Sequence, residues 1–122
     1  DFENYINHRN NTSTTRKEDL THRFYTLMMD NYREHKEVIF YADKLHVSSK
    51  YLSEVVKETS GKSPKDWIID YSLLEIKELL KNSSLNIQEI TIRTKFLNQS
   101  ALGRFFKRHT NMSPSEYRES TY

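Results

Sequence analysis

Residues 98–118 read NQSALGRFFKRHTNMSPSEYR, and residues 48–68 read SSKYLSEVVKETSGKSPKDWI. The second stretch repeats the first in outline. Leu52, Lys57, Ser63 and Pro64 recur as Leu102, Lys107, Ser113 and Pro114. Val55-Val56 recurs as Phe105-Phe106, Asp66 as Glu116 and Trp67 as Tyr117. Each copy reads as a short basic helix, a polar break, and Ser-Pro opening another helix. Ser supplies an oxygen to unpaired N–H groups of the first turn, and Pro fits the first helical position because its missing N–H has no partner there anyway. A helix-turn-helix unit written twice is expected to make the same kind of contact twice.

Composition bounds the rest. The 122 residues are enough for one domain, or two very small ones sharing a linker. Hydrophobic residues make up only 35% and charged residues 30%; two Gly and two Pro suit a helical chain. With no Cys there is no disulfide, thiolate zinc site or cysteine nucleophile. No apolar run approaches the ~20 residues of a membrane span, so no membrane partner is expected. The five His lack metal-ligand spacing and no Gly-rich phosphate loop is present, so neither an enzyme nor a cofactor is expected. The net charge of +2 does not announce a nucleic-acid partner, but its distribution is uneven. Residues 38–66 hold five Lys against four Asp/Glu, a net of +1, whereas residues 87–118 hold six Lys/Arg against two Glu, a net of +4. A local basic patch is the relevant electrostatic footprint.

The expected architecture is all-α, with about seven helices forming two helix-turn-helix subdomains joined by a long linker helix. Residues 1–15, rich in Asn, Thr and Ser, read as a disordered linker or tail. Residues 16–122 read as the folded part: a first helix-turn-helix over about 16–62, a linker helix over about 64–81, and a second helix-turn-helix over about 86–118. Thr15 with Glu18 opens a helix to about His35, and a second helix over Val38–Leu45 is expected to bury Ile39, Ala42 and Leu45. Ser48 caps a third helix that buries Leu52, Val55 and Val56 and ends at Gly61. The linker helix presents Trp67, Ile68, Tyr71, Leu74, Leu79 and Leu80 as apolar. Asn86 with Glu89 caps the fifth helix, Asn98 the sixth, and Ser113 with Glu116 a short last one. Aligning Leu45 with Thr94 and Leu52 with Leu102 makes the second turn one residue longer than the first.

In a DNA-binding helix-turn-helix the second helix enters the major groove, so polar side chains opposite its core face reach base edges. On the sixth helix that face carries Gln99, Ser100, Gly103, Arg104 and Lys107. Gln suits adenine and Arg suits guanine, and Gly103 leaves the backbone free to approach the groove. On the third helix the equivalent surface is Ser49, Lys50, Ser53, Glu54 and Lys57. A plainer reading stands beside this one. Basic helix faces are usually only solvated, Glu54 has Lys50 and Lys57 at ion-pairing distance along the helix, and helix-turn-helix folds also bind proteins.

The residues themselves carry a family resemblance. Phe40-Tyr41-Ala42-Asp43-Lys44-Leu45, Ser49-Lys50-Tyr51-Leu52-Ser53 and Gly61-Lys62-Ser63-Pro64 with Trp67-Ile68 resemble the first half of the AraC/XylS DNA-binding domain. Asn98-Gln99-Ser100, Gly103 to Arg108 and Met112 to Arg118 resemble its C-terminal signature, in wording closest to regulators of the Bacteroidota. The resemblance covers roughly residues 16–118. It implies sequence-specific binding of double-stranded DNA and transcription regulation, more often activation, with two recognition helices in adjacent major-groove segments. Base reading would fall to Lys50, Ser53 and Glu54 in one copy and Gln99, Ser100 and Arg104 in the other. Backbone contacts would fall to Ser48, Ser49, Lys57, Lys62, Asn98, Lys107, Arg108 and Ser113. It further implies a bacterial cytoplasmic, nucleoid-associated protein with RNA polymerase as a partner. Because the chain starts at Asp1 rather than Met, it is read as a piece of a longer protein with an upstream sensing or dimerising domain. The fifth helix departs from the family pattern: Thr91 and Thr94 stand where apolar residues would face the core, and Lys95 stands where a turn glycine or asparagine is common, requiring positive φ. The alternative is a helical protein-interaction module with no DNA-binding role.

Overall fold

The computed structural model describes residues 15–121, so the tail expected over residues 1–15 lies outside the described residues apart from Thr15. The described residues form seven helices and no strand: α1 Arg16–Asn31, α2 Val38–Lys44, α3 Ser49–Ser60, α4 Pro64–Asn82, α5 Ile87–Arg93, α6 Gln99–Thr110 and α7 Pro114–Glu119. They fall into two compact units that divide between Ile69 and Asp70 within α4.

The first unit packs α1, α2, α3 and the start of α4. Thr15 Oγ1 accepts from the Glu18 N–H at 3.0 Å and starts α1. The helix stops at Asn31, four residues before the expected His35, where Asn31 Nδ2 turns back to the Leu27 carbonyl at 2.8 Å. That side chain competes with the backbone for the last acceptors and favours a turn. Phe24, Met28, Tyr41, Leu52 and Val56 are fully buried. In α2 the sequence expectation fails at one position: Ile39 is 61% exposed, and Tyr41 takes the core. The Tyr41 ring meets Phe24 edge-on at 5.4 Å, and its hydroxyl donates to the His35 carbonyl at 2.6 Å. A tyrosine can fill the core only where its hydroxyl has a partner, and the turn after α1 provides one. Burial and the Glu37 carboxylate together push the Tyr41 phenol far above its ordinary range. Gly61 closes α3 at φ 90°, the left-handed C-cap expected of it. Trp67 Nε1 then donates to Ser60 Oγ at 2.9 Å, tying the start of α4 to the end of α3.

The second unit is built on Ile76, Leu80, Ile90, Leu102 and Phe106, with Leu73, Leu79, Leu85, Phe96, Phe105 and Tyr117 packed around them. On α4 Leu74 is 60% exposed, and Ile76, which the sequence reading did not name, is buried. The α4 stripe that faces this core is Ile76 and Leu80, four apart, and Leu74 lies off that row. Asn86 and Glu89 form a reciprocal capping box at 2.8 and 2.9 Å, and Ser113 and Glu116 form another at 3.1 and 2.8 Å. Thr91 and Thr94 are buried as the sequence required, and each hydroxyl is satisfied inside its own helix, on the carbonyls of Ile87 and Ile90 at 2.7 Å. Lys95 has φ 64°, the left-handed backbone expected of that position. Asn111, at φ 63°, closes α6 as Gly61 closes α3.

Candidate nucleic-acid interface

Each unit holds a pair of helices joined by a tight turn. In the first, Leu45 ends α2, His46 turns at φ 60°, and Ser48 caps α3. In the second, Thr94 ends α5, Lys95 turns at φ 64°, and Asn98 caps α6. The second turn is one residue longer, as the sequence alignment requires.

The two caps prepare the ends of the recognition helices. Ser48 Oγ accepts from Tyr51 N–H at 3.0 Å, and Asn98 Oδ1 accepts from Ala101 N–H at 2.8 Å. Both residues are exposed. Acting as acceptors toward the helix leaves the Ser48 hydroxyl proton and the Asn98 amide protons as donors toward solvent. The first-turn N–H groups and the positive end of the helix dipole point the same way, an arrangement suited to phosphate oxygens.

Along α6, Leu102 and Phe106 face the core, while Gln99, Ser100, Arg104, Lys107 and Arg108 are exposed and Gly103 is half-buried. Gln99 Nε2 donates to Gln88 Oε1 on α5 at 2.8 Å. Gln88 therefore orients the Gln99 side chain, and no local signal in the sequence marked it, because the two residues lie on different helices. Lys107 lies close enough to Glu116 to help keep that carboxyl ionised. The Glu116 carboxyl is held below the usual carboxylate range first by the Ser113 backbone N–H, then by the Ser113 side chain, with Lys107 adding to them.

Along α3, Leu52, Val55 and Val56 face the core, Lys50, Glu54 and Lys57 are exposed, and Ser49 and Ser53 are half-buried. Among the described residues Glu54 makes no ion pair with Lys50 or Lys57. Two expected backbone contacts have structural partners of their own. Lys62 Nζ lies 4.5 Å from the centre of the Trp67 ring, and Ser113 is engaged in its capping box. The exposed polar side chains of each recognition helix thus share one face, with the N-cap donors at its end.

A family profile described as a helix-turn-helix domain matches residues 41–120. The chain belongs to the AraC/XylS family of helix-turn-helix domains. It is 32% identical over 77 residues to the Bacillus subtilis HTH-type transcriptional regulator YobQ, covering 63% of this chain and 32% of that protein. It is 26% identical over 101 residues to the lactose operon transcription activator of Staphylococcus xylosus, covering 83% of this chain and 36% of that protein. The chain therefore spans about a third of the length of these two relatives. Among solved structures, the C-terminal domain of AraT, a response regulator from Geobacillus stearothermophilus, superposes with a TM-score of 0.74 at 25% identity, covering 88% of this chain and 93% of that one. The DNA-binding domain of AdpA, solved in complex with a target DNA, superposes with a TM-score of 0.68, covering 80% of this chain and 88% of that one. At 23% identity the AdpA likeness is one of fold. Against the AraC/XylS pattern, the threonines of α5 are accommodated by their own hydrogen bonds and Lys95 by a left-handed turn.

Proposed function

We propose that this AraC/XylS-type chain binds double-stranded DNA in a sequence-specific way and serves transcription regulation, more often activation, by binding and not by catalysis. The observation that carries the reading is the paired exposure of one polar face on α3 and one on α6, each beginning at an N-cap with outward donors. In this reading Lys50, Ser53 and Glu54 read one major-groove segment, and Gln99, Ser100 and Arg104 read an adjacent one. Ser48, Ser49, Lys57, Lys62, Asn98, Lys107, Arg108 and Ser113 hold the backbone. The two faces carry unlike side chains, so the preferred site is asymmetric rather than palindromic. The protein works in the bacterial cytoplasm at the nucleoid, with RNA polymerase as a further partner.

The test is selection of bound sequences from random duplex DNA, followed by affinity measurements at two salt concentrations. A non-palindromic consensus in two blocks, with affinity falling steeply as salt rises, is the expected result. No enriched sequence and a salt-independent affinity would instead favour a protein-interaction module.

A further inference from the structure

Beside the first recognition helix lies an open groove of about 550 Å³ that the reading face does not include. Leu20 and Leu45 form its floor. Arg16, Asp19 and Arg23 line it from α1, and Val47 and Tyr51 line it from the turn and first turn of α3. Spacings of three and four put the three α1 residues on one helix face. Arg16 and Arg23 are both exposed, and Tyr51 is 46% exposed.

The two arginines do little for the fold. Arg16 is the first residue of α1, where the positive end of the helix dipole disfavours a cation. Its neighbour Lys17 behaves differently, pairing with Glu58 of α3 at 3.1 Å. Val47 directly precedes the N-cap Ser48, so the groove borders the same end of α3 that offers donors to solvent. Two arginines against one aspartate leave the rim net positive, which suits an anionic partner. Seven residues of helix separate Arg16 from Arg23, about 10 Å along the axis. With Asp19 between them, a strand of spaced phosphates crossing both ends fits better than one compact anion at the middle.

We propose that this groove takes the sugar-phosphate backbone of the DNA flanking the segment read by α3, with Arg16 and Arg23 each facing a phosphate and the Tyr51 hydroxyl as an added donor. The proposal rests on the DNA-binding reading above and extends its footprint onto α1, which precedes the α2–α3 helix pair. It also supplies positive charge to the half whose own repeat carries only +1.

The test compares the chain with Arg16→Ala/Arg23→Ala on its selected site and on a random duplex, between 50 and 200 mM salt. Each lost phosphate contact lowers the salt slope by about 0.9, so the double variant is expected to lose about 1.8 units of slope on both DNAs. Over a fourfold change in salt, the wild-type advantage then shrinks about twelvefold. Thermal melting is expected to be unchanged, and Arg16→Lys/Arg23→Lys to recover most of the slope, because the charge is retained. Lys107→Ala serves as the reference for a backbone contact on α6. If Lys107→Ala lowers the slope while the double alanine variant matches wild type, the groove proposal is overturned and the DNA-binding reading stands. If wild type itself has a flat salt dependence, both are overturned.

Discussion

Replacing Gly103 by alanine should separate folding from DNA reading. Gly103 lies inside α6 between Gln99 and Lys107, one turn from each. A Cβ added there would meet no heavy atom within 4 Å, so no neighbouring side chain or backbone requires glycine at this position. A glycine inside a helix costs about 1 kcal/mol relative to alanine, because its backbone loses more freedom on folding. Gly103→Ala is therefore expected to stabilise the protein by about 1 kcal/mol, a rise in melting temperature of roughly 4 °C for a chain of this size. The same methyl group would project from the exposed polar face, in the row of Gln99 and Lys107 and beside Arg104. If the bare backbone there lies against the floor or wall of the groove, affinity for the selected site falls, by about tenfold for a lost contact worth about 1.4 kcal/mol. Circular dichroism melting and a DNA titration on the same preparation measure both quantities. Stability up and affinity down is the expected pair. A variant that melts higher and binds equally well would refute close backbone approach at Gly103, and a variant that melts lower would refute the claim that the fold has room for the methyl.

Three further predictions follow from single residues. Arg104→Ala is expected to cost about 1–3 kcal/mol on the selected site and to relax base preference at one position; equal weakening on random duplexes would assign Arg104 to the backbone instead. Lys95→Gly should raise the urea midpoint by an amount equivalent to about 1 kcal/mol, because glycine adopts left-handed backbone without the Cβ clash that a lysine bears, less what glycine adds to the freedom of the unfolded chain. An unchanged or lowered midpoint would contradict strain at that turn. The Tyr41 phenol titrates above its ordinary value of 10.0 in the folded protein, so the folded state holds this proton more tightly than the unfolded chain. Its contribution is fully present below pH 10.0 and is lost as pH rises beyond it, at up to about 1.4 kcal/mol per pH unit. Tyr41→Phe should lower stability at neutral pH by about 1–2 kcal/mol through the unpaired His35 carbonyl, and should flatten the alkaline decline; equal alkaline profiles would contradict the assignment.

Much of the fold was legible because its signals are local. Thr15, Ser48, Asn86, Asn98 and Ser113 each act on an N–H three residues ahead, and Gly61 and Asn111 act at the residue that ends a helix. The extra residue of the second turn followed from counting between the aligned pairs Leu45/Thr94 and Leu52/Leu102. The polar faces of α3 and α6 were legible for the same reason: Leu52, Val55 and Val56 in one, and Leu102 and Phe106 in the other, fix which side is left for solvent.

Where the reading failed, the deciding contact came from another element. A seven-residue helix such as α2 has too few turns for periodicity to choose between Ile39 and Tyr41, and the choice was made by Phe24 and the His35 carbonyl on and just after α1. In α4 the second core takes Ile76, a position the sequence reading did not name. The bond from Gln88 to Gln99 joins two helices, and the groove of Arg16 and Arg23 exists only because α1 packs beside α3. By itself, then, the sequence determined the helices, their ends apart from that of α1, and the two outward faces, since hydrogen bonds within four residues and a 3.6-residue period fix these. Tertiary structure alone decided that Tyr41 rather than Ile39 fills the first core, which neighbour orients Gln99, and which charges from α1 border the first recognition helix, since these depend on elements brought together only by packing.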